Sequence, residues 1–385
     1  MRHIIYITTA MDKDDFANYL PHWKSSPNPS NQNFHNKMIR SLAINNRIDV
    51  ISVRPFSKSL CDLKNLKKEE KEDGNISWHY IAIQRDIFRK LINGHRQVNT
   101  LVKKYAKDDT IVFVDTINPA IVHFAKHSLK RKKLRVVGLC TDSPSNITGT
   151  TRSYTVYLLS HTNAYSGYIA LTTGLDELFN VSKKPSLILE GIVEENLSNP
   201  KEKIGKYFFF GGALLARYGI YDLIKAFRLF SKTNKGYKLM ISGHHADVKG
   251  INDAIGGDKN IKYLGAITVD ECYAYEKGAI ANINPRPFSE DLDRYSIPSK
   301  TLEYLESGVP TISVKNSKLQ KVIGDLIIWS KSSSDKELAK ALEHVVSLTK
   351  EERKALGDKA KEKVHDLYSL KSVNKKVNDF LKKLD

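Results

Sequence analysis

Short runs rich in Val, Ile and Phe, each leading into a helix-length amphipathic stretch, recur along the chain; the series breaks once and then starts again. In the first half His3–Thr8, Ile48–Val53, Thr110–Val114, Leu134–Cys140 and Tyr168–Thr172 read as strands, and Asn33–Asn45, Ile87–Lys107 and Ala120–Lys130 as helices. Strands apolar enough to be buried on both faces, alternating with helices, predict a parallel sheet between helical layers. The polar stretch EENLSNPKEKIGK, between Glu190 and Lys206, carries Asn, Pro and Gly and reads as a linker. Beyond it Tyr207–Phe210, Tyr237–Ile241, Ile261–Leu264, Ala279–Ile283 and Thr311–Val314 read as strands. Helices are expected over Ile220–Ser231, Val269–Lys277 and Lys300–Ser307, with two more after Asp335. The expected architecture is α/β: two Rossmann-like doubly wound domains facing a central cleft, over residues 1–200 and 201–385, the last helix packing back on the first domain. Ligands of such sheets sit outside the carboxyl ends of the strands. Three strands of the second series end on glycine, at Gly211, Gly243 and Gly265.

Composition narrows the class. A chain of 385 residues suits two domains of about 190. No apolar run approaches the roughly 20 residues of a membrane-crossing helix. The opening MRHIIYITTA reads as a buried strand rather than a signal peptide, so a cytoplasmic location is expected. Cys61, Cys140 and Cys272 are odd in number and far apart, which argues against a disulfide framework or a zinc site. The net charge of +18 favours anionic partners. Arg85, Arg89, Lys90, Arg96, Lys103, Lys104 and Lys107 interleave with Ile87, Phe88, Leu91, Ile92, Val98, Leu101 and Val102, the pattern of a basic-faced amphipathic helix. A denser run holds Lys126, Lys130, Arg131, Lys132, Lys133 and Arg135. Such a face is either a solvated surface or a seat on an anionic membrane at the inner side of the cell membrane. No nucleic-acid motif accompanies it, so nucleic acid is not an expected partner.

The most informative segment is NPRPFSEDLDRYSIPSKTLEYLESGVPTIS, from Asn284 to Ser313. A strand runs into a loop with Arg286 and Arg294, and Ser299 reads as the N-cap of a helix whose free amides and dipole make an anion site. Lys300 in the first turn opposes that dipole, which a bound diphosphate would justify. Glu303, about one turn on, can accept two hydrogen bonds from vicinal ribose hydroxyls. Gly308 ends the helix. Asp291-Leu-Asp293 has the spacing of a metal-binding Asp pair but reads as loop carboxylates, and no metal or other cofactor is expected.

This segment resembles the nucleotide-sugar signature of the GT4 family of retaining glycosyltransferases, with its nearest likeness to bacterial capsular and exopolysaccharide enzymes. Glu303 through Gly308 and Pro310 match the second half of the family pattern. Where the family places its first Glu, this chain has Tyr295. A second likeness is Phe209-Phe-Gly-Gly212 followed by Arg217-Tyr-Gly219-Ile-Tyr-Asp-Leu-Ile-Lys-Ala-Phe227, similar to the family's phosphate-gripping loop, and a third is Leu239-Met-Ile-Ser-Gly243 with Leu264-Gly265. The resemblance implies a GT-B fold. It implies donor contacts from Gly211, Gly212, Arg217, Gly243, Leu264, Gly265, Arg286, Tyr295, Ser296, Ile297, Pro298, Ser299, Lys300 and Glu303, with Arg217 and Lys300 stabilising the leaving diphosphate.

The first domain should then hold the acceptor. Asn33 and His35 follow the first strand, where relatives keep an acceptor loop; His35 is either an acceptor contact or a structural histidine. Asp142, at the end of a strand, either positions the donor sugar or acceptor hydroxyl or caps its own loop as an Asx turn. The resemblance implies metal-independent transfer, with retention, from a UDP-linked donor to a glycan or lipid-linked acceptor in surface polysaccharide synthesis. A homo-oligomer is left open. Two other readings stay open: a non-catalytic partner subunit, for which Tyr295 is the reason, and a sugar-nucleotide epimerase.

Overall fold

The apolar runs become the strands of two separate sheets. The computed structural model describes residues 2–24, 29–56, 61–84, 86–129, 134–146, 151–162, 165–194, 201–243 and 248–384. They group into one unit of Met1–Ile192, Arg294–Ile297 and Leu370–Asp385, and a second of Val193–Asp293 and Pro298–Ser369. Residues 195–200 of the expected linker lie outside the described residues, as do Arg85, Lys130, Arg131, Lys132 and Lys133 of the basic runs.

The strands of the first unit are β1 (His3–Thr8), β2 (Arg47–Ser52), β3 (Asn65–Leu66), β4 (Glu69–Asp73), β5 (Ile76–Tyr80), β6 (Ile83–Gln84), β7 (Ile111–Asp115), β8 (Arg135–Cys140), β9 (Gly167–Ala170) and β10 (Ser186–Ile188). Eight form one sheet in the order β10-β9-β8-β7-β1-β2-β5-β4, parallel throughout except for β4. The chain winds outward one way from β1 and, after β7, the other way, which makes the sheet doubly wound. Its helices are α1 (Lys13–Tyr19), α2 (Pro29–Ala43), α3 (Ile87–Tyr105), α4 (Pro119–Phe124), α5 (Arg152–Thr162) and α6 (Thr173–Phe179). The helix expected over Ala120–Lys130 is α4 followed by a π turn, Ala125–Leu129. In α3, Val98, Leu101 and Val102 are buried while Arg96, Lys103 and Lys104 are exposed, so the amphipathic pattern holds in its second half. The sequence reading contained neither β4 nor β5. Strand β4, EEKED, is a charged edge, a device that discourages pairing with another chain.

The second unit contains β11 (Tyr207–Gly211), β12 (Lys238–Ser242), β13 (Ile261–Tyr263), β14 (Ala281–Asn284), β15 (Thr311–Val314) and β16 (Ile328–Ser330). All are parallel, in the order β13-β12-β11-β14-β15-β16, the dinucleotide-fold order with its switch point between β11 and β14. The helices are α7 (Ile220–Thr233), α8 (Val248–Ile255), α9 (Val269–Gly278), α10 (Glu290–Tyr295), α11 (Ser299–Glu306), α12 (Ser317–Ile323), α13 (Asp335–Ser347) and α14 (Lys350–Tyr368). Phe208, Phe227 and Phe230 join α7 to the sheet, and Leu302, Leu305, Ala360 and Val364 join α11 to α14. Three helices, not two, follow Asp335. The extended backbone of Ser369 stops α14, and α15 (Leu370–Leu381) runs separately within the first unit. There Asn374 Nδ2 donates to Ser41 O (2.7 Å) and Ser41 Oγ to Leu370 O (2.7 Å). No helix among the described residues is long and apolar enough to cross a membrane.

Candidate active site

In the second unit the chain leaves β11, β12, β13 and β14 at one edge of the sheet, and the strand ends are tied by backbone. Gly212 N–H donates to Ser242 O (3.0 Å). Gly243 N–H and Ser242 Oγ both donate to Gly265 O (3.0 Å each), and Tyr263 OH donates to Gly243 O (2.9 Å). Gly243 has φ +149°, and a side chain there would overlap the carbonyl of Gly212. Gly219 (φ +79°) closes the 3₁₀ turn Ala216–Tyr218 and lies flat against the carbonyl of Pro285, just past β14. Bare backbone is thus gathered at the switch point, where an anionic ligand can approach amides closely.

Helix α11 is fixed to this edge from below. Tyr304 OH accepts from Gly211 N–H (2.9 Å) and donates to Gly211 O (3.0 Å), and Asn284 Nδ2 donates to Thr301 Oγ1 (2.7 Å). The first residue of α11 is Ser299, and the cap position belongs to Pro298, which has no side chain able to accept a hydrogen bond. The expectation that Ser299 caps the helix is therefore corrected: it sits one residue inside, exposed, and the cap residue Pro298 makes no side-chain cap. Lys300 follows. Its ammonium meets Glu303 Oε2 at 2.7 Å and Glu276 Oε1, from α9, at 3.8 Å. Desolvation alone would depress the Lys300 ammonium, but the two carboxylates outweigh it and raise it.

Glu276 lies beneath Lys300 with its side chain only 5% exposed, and it accepts a weak hydrogen bond from the Cys272 thiol (3.4 Å). Burial pushes its carboxyl up to about 7, against the pull of Lys300. A carboxyl raised from an ordinary 4.5 makes the folded protein bind a proton more tightly than the unfolded chain does. Its contribution to stability is full below about pH 4.5 and is lost as pH rises through about 7, a change of about 3 kcal/mol. Glu276→Gln is expected to flatten that part of the curve, measured as urea-unfolding free energy at pH 5 and pH 8.

The structure gathers Gly211, Gly212, Gly243, Leu264, Gly265, Pro298, Ser299, Lys300 and Glu303 around this edge. Arg217 projects from the 3₁₀ turn, exposed, its guanidinium over the Tyr218 ring (5.1 Å to the centroid). Arg286 is different: its side chain, 11% exposed, pairs with Asp293 (3.0 Å), which also accepts from Ser289 N–H (2.9 Å). Its visible job is to brace the loop, and Asp293 is a loop carboxylate. Tyr295, Ser296 and Ile297 fall in the first unit, where Arg294 O accepts from Thr172 Oγ1 (2.7 Å). Sequence reasoning missed Glu276, Cys272, Thr301 and Tyr304. Tyr304 stood inside the quoted motif, but nothing in the sequence ties α9 to the first turn of α11.

In the first unit, His35 is corrected as an acceptor contact. It is fully buried, sharing a hydrogen bond with Tyr6 OH (2.7 Å) and facing Asp115 Oδ2 at 3.5 Å, so no acceptor reaches it. Asn33, on the same helix, is exposed. Asp142 Oδ1 accepts from Ser143 N–H (2.8 Å), the adjacent residue, short of the two-residue reach of an Asx turn.

Two doubly wound units, the second in the dinucleotide-fold strand order, are the architecture of the GT-B fold. More particularly, residues 194–363 match the family model described as Glycosyl transferases group 1, and the chain carries a domain of that family. No curated protein matches the sequence. Among solved structures, sucrose-phosphate synthase from Thermosynechococcus elongatus is 12% identical, with a TM-score of 0.68 over 100% of this chain and 99% of the other. An alpha,alpha-trehalose-phosphate synthase (UDP-forming) from Burkholderia xenovorans, in complex with glucose-6-phosphate, is 10% identical with a TM-score of 0.64 over the whole of both chains. The Anabaena protein HepE, in complex with UDP, is 10% identical with a TM-score of 0.63 over 99% of this chain and 100% of that one. At these identities the likeness shows the fold.

Proposed function

We propose that the chain transfers a sugar, with retention and without a metal ion, from a UDP-linked donor to a glycan or lipid-linked acceptor in surface polysaccharide synthesis. The second domain binds the donor and the first the acceptor, with Asn33 and Asp142 on the acceptor side. The observation that carries this reading is a cation, Lys300, in the first turn of an uncapped helix beside bare glycine backbone. A cation there opposes the helix dipole, and a diphosphate reconciles the two. In the ground state Glu303 and Glu276 hold the ammonium in place. As the bond from the anomeric carbon to the diphosphate breaks, negative charge grows on the leaving oxygen. Lys300, the amides opening α11 and the exposed Arg217 stabilise it, and Glu303 accepts from the ribose hydroxyls. The departing phosphate takes the acceptor's proton, so no separate base is needed. The basic face of α3 would bring the enzyme to an anionic membrane surface, where a lipid-linked acceptor resides.

Thermal denaturation with UDP-, GDP- and dTDP-sugars tests the donor. The true donor at 100 times its dissociation constant adds about 2.7 kcal/mol to stability, and UDP-sugars should stand out and release UDP when acceptor is supplied. A donor that stabilises but is never turned over would favour a non-catalytic partner subunit, the reading that Tyr295 in place of the family's first Glu supports. A panel with no stabilising donor would defeat the proposal.

A further inference from the structure

Three histidines stand together in the first unit. His123 lies in α4, His127 in the π turn that extends it, and His161 at the end of α5. One ligand atom from each lies within 4.8 Å of the other two. Across a tetrahedral metal site with nitrogen ligands the corresponding separation is about 3.4 Å, so small rotations of the two exposed rings close the difference. We infer that His123, His127 and His161 form a site for a divalent transition-metal ion of the zinc class, which staples α4 to α5.

The surroundings suit ligation. His161 is buried and fixed: its Nδ1 meets Tyr157 O at 2.8 Å and Ser160 Oγ at 3.1 Å, and Tyr157 stacks on the ring at 4.1 Å. Those partners engage Nδ1, so Nε2 is the nitrogen a metal would take, the arrangement in which a metal-binding histidine is oriented by its other nitrogen. Tyr157 OH likewise engages His123 Nδ1 (3.0 Å). His123 and His127, four residues apart with ring centroids 4.4 Å apart, make the paired-ligand geometry a helix supplies. Lys126, the nearby cation, is drawn aside to Ser160 O (2.9 Å). Three imidazoles with a fourth position for water match Zn²⁺, Co²⁺ or Ni²⁺ rather than Mg²⁺ or Ca²⁺, which prefer oxygen. These residues are separate from the donor-site residues of the second unit, so the inference stands or falls independently of the proposed transfer.

The test uses tag-free full-length protein. Zn²⁺ titrated calorimetrically should bind one ion per chain and raise the melting temperature. Co²⁺ should give a tetrahedral visible spectrum without a thiolate charge-transfer band. His127→Gln, at an exposed position, should melt like the parent without metal but bind Zn²⁺ at least about 10-fold more weakly and lose the metal-dependent shift. Absence of stoichiometric binding in the parent overturns the inference. So does unchanged binding in both His127→Gln and His123→Gln, which would place the ligands elsewhere.

Discussion

Lys300→Ala should lower kcat/KM for the donor by about two to three orders of magnitude, equivalent to about 3–4 kcal/mol of transition-state stabilisation. The reason is electrostatic. In the proposed site Lys300 is the cation at the opening of α11, and the charge it faces is largest when the diphosphate departs. Losing an interaction that is stronger in the transition state than in the ground state lowers kcat as well as kcat/KM. The fold should survive, because the Lys300 side chain is 39% exposed and α11 remains anchored through Tyr304 to Gly211 and through Thr301 to Asn284. Lys300→Arg should recover only part of the activity. It restores the charge but brings a planar fork to a pocket shaped around one ammonium between Glu303 and Glu276. Steady-state rates of nucleotide release, read beside melting temperatures, separate this outcome from simple unfolding.

Gly243→Ala acts through the backbone and should be costly in another way. At φ +149° an alanine is strained, and its methyl group would overlap Gly212 O, which belongs to backbone and not to a side chain that can swing away. Relief requires the β12 end to move from Gly265 or the β11 end to move from Ser242, breaking the 3.0 Å hydrogen bonds that gather the edge. We expect about 3 kcal/mol or more of destabilisation, a fall of roughly 10 °C in the melting of the second unit, and loss of donor-dependent stabilisation. Denaturant unfolding with and without UDP-sugar measures both. An alanine variant that melts and binds like the parent would mean that this edge is not held as described.

Much of the second unit was legible because its signals are local. A buried strand reads as an apolar run wherever it is placed, and Gly211, Gly243 and Gly265 mark the strand ends by themselves. Lys300 and Glu303, three residues apart, were placed on one helix by its periodicity, although their ion pair at 2.7 Å was not part of the sequence reading. What stayed hidden depends on partners distant in sequence. Glu276 arrives from α9, and nothing in DECYAYEKG announces that it will lie beneath Lys300. Strand β5, ISWHY, alternates Ile76, Trp78 and Tyr80 with Ser77 and His79, so it is not a continuous apolar run, although all five residues are buried. His79 can be buried because Asp49 on β2 meets it at 2.7 Å, and Asp49 is shared with His3 at 2.6 Å. His35 was ambiguous for the same reason, since its place in the core depends on Tyr6 and Asp115. The histidine cluster repeats the lesson. His123 and His127 are a visible helical pair, but their third member comes from α5, beyond a loop whose length says nothing of where it returns. Ser299 was misread by one position because a serine before a helix usually caps it, and here proline takes that place.

The most direct test of the central claim is a crystal structure of the full chain with UDP. The account predicts the diphosphate oxygens about 3 Å from Lys300 Nζ and from the amides that open α11, with Glu303 turned toward the ribose. Nucleotide bound elsewhere, or bound while Lys300 stays locked between Glu303 and Glu276 away from the phosphates, would contradict it.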